Sequence, residues 1–260
     1  MLIFCLSSVK MFAQTNIDSL FVEIKESCIF VKPLKTKWQF DSFTLYRTKD
    51  SSELYYVSQD ENGNLTSKIG LCILFQKFDK TNRLSKTIGY SNKGEYYYWD
   101  YSPITEEVYN GDTTIEKFYN SDYKLTDILT KINDENGKLK EEISQSFKTS
   151  YFLKTTYNYS DKSGEVLISK FDSTNKLIID NNGVAHIIVK KTNPTEIVEI
   201  TQTYIDSNFN QVEAMHNVNN NSIKFKFSKF IKVTYFSSGT SYEFYNKKNE
   251  LVYNTTFIGE

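Results

Sequence analysis

Apolar and polar residues alternate one by one through much of the chain. In "SIKFKFSK" Ile223, Phe225 and Phe227 fall on one side, Lys224 and Lys226 on the other. Strand side chains point alternately to opposite faces, so this spacing predicts a half-buried strand. "FIKVTYF" puts Ile231, Val233 and Tyr235 on one face, and "YFLKTTYNY" does the same with Tyr151, Leu153, Tyr157 and Tyr159. A helical spacing occurs near the start, where Ile17, Leu20, Phe21 and Ile24 predict a short amphipathic helix capped by Asn16 or Asp18. "CIFV", residues 28 to 31, predicts a first strand stopped by Pro33. Leu125, Ile128, Leu129 and Ile132 fit a helix as well as a strand, and the turns on both sides favour the strand.

Polar turns separate these runs: DENGNL (60 to 65), DKTNRL (79 to 84), NSDYKL (120 to 125), DENGKL (134 to 139), DKSGEV (161 to 166), DSTNKL (172 to 177), DSNFNQV (206 to 212) and NKKNEL (246 to 251). All but DSNFNQV, which carries one residue more, share a form: Asp or Asn, three turn residues, one further residue, then Leu or Val. Asp and Asn bond their own backbone, and Gly and Asn accept positive φ, so the pattern predicts an irregularly spaced internal repeat of hairpins. The expected fold is all-β, consecutive antiparallel hairpins in a meander with a short N-terminal helix. After about residue 50 strand and turn should dominate, with no long helix. Leu65, Leu84, Leu125, Leu139, Val166, Leu177 and Leu251 each restart a strand and are expected on its buried face.

The stretch "FDKTNRLSKTIGYSNKGEYYYWDY", residues 78 to 101, resembles the unit of YD-repeat proteins of the Rhs type. Phe78 and Asp79 stand for the Tyr-Asp pair, Asn82, Arg83 and Leu84 match the turn exit, and Gly94, Tyr96 and Tyr98 match the second half. "DENGNLTSKIG" (60 to 70) matches another unit's opening, and the "ENGKLKEE" phrase is similar to degenerate repeats of small bacterial antitoxin-like, MORN-type proteins. The resemblance covers residues 57 to 101 well and the rest loosely. It implies a repeat sheet and no shared catalytic set, and the chain is too short for the hollow shell of large Rhs proteins. In "YYYWDY", Tyr96 and Tyr98 alternate with Tyr97, Trp99 and Tyr101. The aromatics read first as structural cross-strand partners. Tyr97, Trp99 and Tyr101 are the candidate ligand platform.

Composition fits a soluble, foldable chain, with 39% hydrophobic and 24% charged residues in 260. The formal charge of −1 gives no basic footprint for nucleic acid. No run reaches the ~18 apolar residues of a membrane span. "MLIFCLSSVKMFAQ" resembles the end of a secretory signal peptide, with Ala13 at the cleavage position, and the missing basic residues are expected upstream. An ordinary buried first strand is the alternative reading. Phe4 is too large to precede a lipidated Cys5. The expected segments are therefore a signal-like stretch (1–13), the N-terminal helix and first strands (14–50), and a YD-like β-repeat domain (51–260). In an exported chain Cys28 and Cys72 are either one disulfide or two buried thiols.

Candidate chemistry is sparse. His186 in "VAHIIV" reads as a strand residue, and His216 follows a turn. Neither stands at a recognised nucleophile spacing, although triads assemble across sequence. Asp60, Asn62 and Asn64 alternate as calcium ligands do, but lack an EF-hand's Gly position and distal Glu, and are taken as a hairpin turn. Glu106–Glu107 and Glu141–Glu142 point to opposite faces of a strand and form no acid–base pair. No catalytic residue, metal or cofactor is expected. The resulting reading is an exported, periplasmic or cell-surface bacterial β-repeat protein, non-enzymatic, with an unknown protein or glycan partner or a surface-structural role. Its rivals are a cytoplasmic antitoxin- or immunity-like module that binds a protein, and a hydrolase with an unrecognised site.

Overall fold

A computed structural model describes residues 16–35, 42–66, 70–98, 102–160, 164–181, 183–192, 198–212, 217–218, 223–224, 230–236, 239–246 and 248–258. The signal-like segment Met1 to Ala13, Phe225, Phe227 and His216 lie outside them. Contacts gather the described residues into two compact units. One runs to Thr130 and includes Gln145–Ser150; the other comprises Lys131–Ser144 and the chain from Tyr151 onward.

The first unit opens with α1 (Ile17–Ser27), where the Asn16 side chain accepts from the Ser19 N–H, so Asn16 is the cap. Then come β1 (Ile29–Lys35), β2 (Ser42–Arg47), β3 (Glu53–Gln59), β4 (Leu71–Phe78), β5 (Leu84–Ser91), β6 (Ile104–Asn110), β7 (Thr113–Tyr119) and β8 (Leu125–Asn133). Onward lie β9 (Leu139–Ser146), β10 (Tyr151–Tyr159), β11 (Glu165–Phe171), β12 (His186–Thr192), β13 (Val198–Ile205), the two-residue strands β14 (Asn217–Val218) and β15 (Ile223–Lys224), β16 (Phe230–Phe236), β17 (Gly239–Tyr245) and β18 (Leu251–Ile258). Sixteen strands form a sheet in chain order, antiparallel throughout, with β13 followed by β16; β14 and β15 pair separately. Among the described residues the fold is an all-β meander with one short helix, as the alternation predicts. The ambiguous run from Leu125 is a strand. One expectation fails: β1 continues through Pro33, which pairs with Thr44. A strand bonded on one side only tolerates a residue without an N–H.

Register stacks one residue per strand into rows. Phe30, Tyr46, Tyr55, Phe75, Ile88, Ile104 and Tyr119 are successive cross-strand partners. Ile17, Phe21 and Ile24 of α1 pack on this row and form a core with Val57, Cys72, Ile73 and Tyr90. Two steps along the same face the row is charged, with Glu53, Lys77, Lys86, Glu106 and Lys117 in sequence across the strands. Glu53 pairs with Lys77 at 3.3 Å and Glu106 with Lys86 at 2.9 Å. In the second unit Ile231, Val233, Phe244 and Tyr204 form a core with Val184 and with half-buried Val212.

The turns share one geometry. At Asp60, Asp79, Ser91, Asn120, Asp134, Asp172, Asp180, Asp206 and Asn246 the first residue's N–H donates to the carbonyl four residues on, and its own carbonyl accepts from the residue three on. That fourth residue has positive φ in all nine: Gly63, Asn82, Gly94, Tyr123, Gly137, Asn175, Gly183, Phe209 and Asn249. In eight of them the side-chain oxygen also accepts the N–H groups two and four residues on, at 2.9 and 2.8 Å for Asp60 and 2.9 Å each for Asp134, and at Asp180 it accepts the Val184 N–H. The Asp60 oxygen is thus spent on its own backbone. Three details differ from the pattern read in the sequence. DSNFNQV carries no extra residue, because Gln211 takes the restart position and pairs with Ile205. DKSGEV closes one residue wider, from the Ser160 N–H to the Glu165 carbonyl. SNKGEY and DNNGVA are further members, and Ser91 Oγ stands in for a carboxylate at 3.2 Å from each N–H.

The expected burial of the restart residues is overturned. Leu65, Leu84, Leu139, Val166 and Leu177 are half-buried, and Leu125 (36%) and Leu251 (48%) are exposed. Alternation places a side chain on a face but does not cover that face. Coverage comes from α1 on one face and Tyr97 on the other in the first unit, and from the segments around Val184 and Val212 in the second. Among the described residues of β7 to β11 no large apolar side chain is buried; the buried ones are Thr126, Thr155 and Ser169.

Two predictions follow from burial and from the turns. Ile88→Ala, beneath α1, should cost about 2–5 kcal/mol, whereas Leu139→Ala should cost only ~1 kcal/mol, read from urea unfolding; equal losses would refute the division into covered and uncovered strands.

The turn carboxyls of Asp60, Asp79 and Asp206 are held below their usual range chiefly by the N–H four residues on, and that of Asp172 chiefly by the Thr174 hydroxyl. A depressed carboxyl stabilises the fold fully above its unfolded value of about 3.9 and loses that contribution as pH falls toward the lower folded one. Wild-type stability should therefore fall below about pH 4. A variant with Asn at these positions, as Asn120 and Asn246 already are, should keep its circular dichroism spectrum and show a shallower acid slope.

Candidate functional site

The aromatic segment after β5 is split between two packing layers. Tyr96 pairs with Tyr90, their rings 5.7 Å apart, and packs on the core beneath α1. Tyr97 packs on the opposite face with Phe43, Leu71, Leu74 and Tyr56. That face carries the row Leu45, Tyr56, Leu74, Gly89. Gly89 is its gap, since a Cβ there would stand 2.6 Å from the Tyr97 carbonyl oxygen. The Tyr97 N–H donates to the Gly89 carbonyl at 2.9 Å. The Tyr97 ring closes over Gly70, which has φ +93° and whose added Cβ would lie 2.3 Å from a ring carbon. Of the candidate platform, Tyr97 is thus a packing residue, and Trp99 and Tyr101 lie outside the described residues. Tyr98 is exposed.

A polar network borders the first core. Glu106 Oε1 accepts from Lys86 Nζ at 2.9 Å and from the Tyr123 hydroxyl at 2.5 Å, and Oε2 accepts from the Tyr119 hydroxyl at 2.9 Å. Tyr123 occupies the positive-φ turn position, at 58°, where a bulky side chain is strained. Its ring folds back onto Tyr119, centroids 4.8 Å apart. Burial alone raises the Glu106 carboxyl and lowers Lys86, but hydrogen bonds outweigh it: Glu106 is held below its usual range, Lys86 above. With three donors on its oxygens and its carboxyl held low, Glu106 is a weak base, and a firmly protonated Lys86 is not a nucleophile. Glu107 bonds Tyr109 instead of joining Glu106, as their alternation requires.

The second unit brings Ser169 and His186 together as cross-strand partners of β11 and β12. Ser169 Oγ lies 2.7 Å from His186 Nδ1, both residues being buried. This pairing was unreadable in the sequence, because it depends on register across a loop of fourteen residues between the strands. Phe209, at φ 64° in its turn, stacks on the His186 ring at 4.9 Å and 10°. Burial lowers the imidazole below its ordinary value, against the pull of Asp206. The distance suits a nucleophile and its base. Ser169, however, sits mid-strand, paired with Thr156 on one side and His186 on the other, so its backbone serves the ladder and not an oxyanion. The Asp206 carboxylate binds the Asn208 and Asn210 N–H groups of its own turn.

Cys28 and Cys72 are free thiols. Cys72 is buried in the core beneath α1, and Cys28 is half-buried and packs against the same core. Among the described residues no three His, Cys, Asp or Glu side chains are grouped to hold a metal, and no helix is long and apolar enough to cross a membrane. No protein-family model and no curated protein matches the chain.

His186 yields a pH prediction. Between its ordinary pKa of about 6.5 and its lower folded value, the unfolded chain takes a proton that the folded chain refuses, so stability should fall as pH drops from about 6.5. His186→Gln should remove that slope in urea midpoints between pH 7 and 5, while His216→Gln should keep it. An unchanged slope in His186→Gln would place the titration elsewhere.

Proposed function

We propose that the chain is an exported bacterial β-repeat protein of YD-repeat type, non-enzymatic, whose sheet binds a protein or glycan partner or serves as surface structure. The observation that carries this reading is the use of one turn design nine times to build a sheet whose middle strands, β7 to β11, bury no large apolar side chain among the described residues. Such strands offer extended faces, and a wide contact surface suits recognition better than enclosed chemistry. The groups able to do chemistry support it too. The Asp60 and Asp206 oxygens are bonded to their own turns, Lys86 and Glu106 neutralise each other, and Ser169 sits within the strand ladder, paired with Thr156 and His186. The signal-like run ending at Ala13 supports export.

Expressed in a bacterial host with an upstream extension, the product should appear in the periplasm or medium beginning at Gln14 or nearby, by intact mass. Cytoplasmic retention with residues 1 to 13 intact would remove the exported reading. Ester hydrolysis abolished by Ser169→Ala would replace the non-enzymatic one.

A further inference from the structure

The two strands at the ends of the pairing order are built differently. β1 carries Lys32, Pro33 and Lys35 and a register irregularity between Phe30 and Lys32. Charge, proline and bulges are the usual means of blocking an edge against further strands. β18, Leu-Val-Tyr-Asn-Thr-Thr-Phe-Ile, has no charged residue, no proline and no glycine. Its irregularity is confined to Val252 beside the turn, and from Tyr253 onward its register to β17 is unbroken. Among the described residues no strand pairs with its outer side.

We propose that β18 is the docking edge for a second copy of this chain, joined by antiparallel strand pairing. The sequence argues for a copy of itself as the occupant. Two identical antiparallel edge strands are related by a two-fold axis normal to the sheet, so each residue keeps its face and meets one of the same parity. Tyr253-Asn254-Thr255-Thr256-Phe257 has the same chemical character from either end. With the axis at Thr255, Tyr253 of each copy opposes Phe257 of the other, and Asn254 opposes Thr256. An axis at Asn254 would instead run the pairing into the Val252 bulge. The neighbouring strand prepares the contact: Phe244 lies against Tyr253 at 5.8 Å and Tyr242 meets Phe257 edge-on at 5.8 Å. The row Val189, Gln202, Ile231, Phe244, Tyr253 thus ends at this edge in an aromatic pair. A second copy would continue the row, cover Phe257, which is 44% exposed, and place no like charges together.

The edge is short and the interface small, so self-association should be read at about 100 µM protein. Sedimentation or light scattering of the 260-residue chain should give twice the monomer mass. Asn254 and Thr256 are both exposed, and Asn254 faces Glu243 of β17, so lysines there are compatible with folding. The double variant Asn254→Lys, Thr256→Lys opposes lysines across the axis and should halve the mass without changing circular dichroism. The corresponding double glutamate variant, made with Glu243→Gln so that no carboxylate of β17 faces Asn254→Glu, should also be monomeric, and an equimolar mixture of the lysine and glutamate variants should recover the dimer. Phe30→Lys on β1 should leave the dimer intact. A monomeric wild type, a dimeric lysine variant, or a mixture that fails to associate would each overturn the proposal.

Discussion

The fold depends on one contact: the side-chain oxygen at the first turn position accepting two backbone N–H groups. Reversing direction in four residues leaves amides pointing inward with no strand opposite them. Asp, Asn or Ser fills that gap at Asp60, Ser91 and Asn120 alike. The chain then needs one residue at positive φ, usually Gly or Asn, and re-enters the ladder in fixed register. Register in turn stacks like residues into rows, so the turns determine which side chains become neighbours three and four strands away.

The rows explain why stability is unevenly distributed. Under α1, seven strands contribute one large apolar residue each to a single row, and the five from Tyr46 to Ile104 are buried. Where nothing lies over the sheet, the same alternation yields half-buried side chains, and the strands rely on ladder hydrogen bonds and cross-strand pairs such as Lys154 with Glu141 at 2.9 Å. Two turn aromatics, Tyr123 and Phe209, act as small local covers. Each accepts a strained backbone and folds its ring onto the adjacent strand, over Tyr119 and His186 respectively.

The sequence made strand, turn and helix positions readable because period 2, period 3.6 and the Asp-to-Leu spacing are local signals. It pointed to the αL residue where that residue is Gly or Asn, but not where it is Tyr123 or Phe209. Burial was not readable: Leu125 and Leu251 satisfy the pattern as well as Ile88 does, and only α1 distinguishes them. Nor was the Ser169–His186 contact, since residues seventeen apart meet through a register that intervening loops determine. Tyr96 and Tyr97 show the division within one dipeptide. Alternation assigned them to opposite faces, but the vacancy that receives Tyr97 is made by Gly89, a residue whose role appears only when the chain folds back upon it.

Chain-order pairing has a consequence for how such a protein is assembled and altered. Almost every strand is bonded to the strands before and after it, so most native contacts close over a few residues and little loop entropy stands in the way of forming them. Structure can therefore accumulate hairpin by hairpin as the chain emerges, each finished hairpin offering a template for the next. The same arrangement restricts how its length can change. Removing one strand would reverse the direction of everything downstream, whereas removing a hairpin restores both direction and face. Growth and loss in this architecture should proceed in pairs of strands.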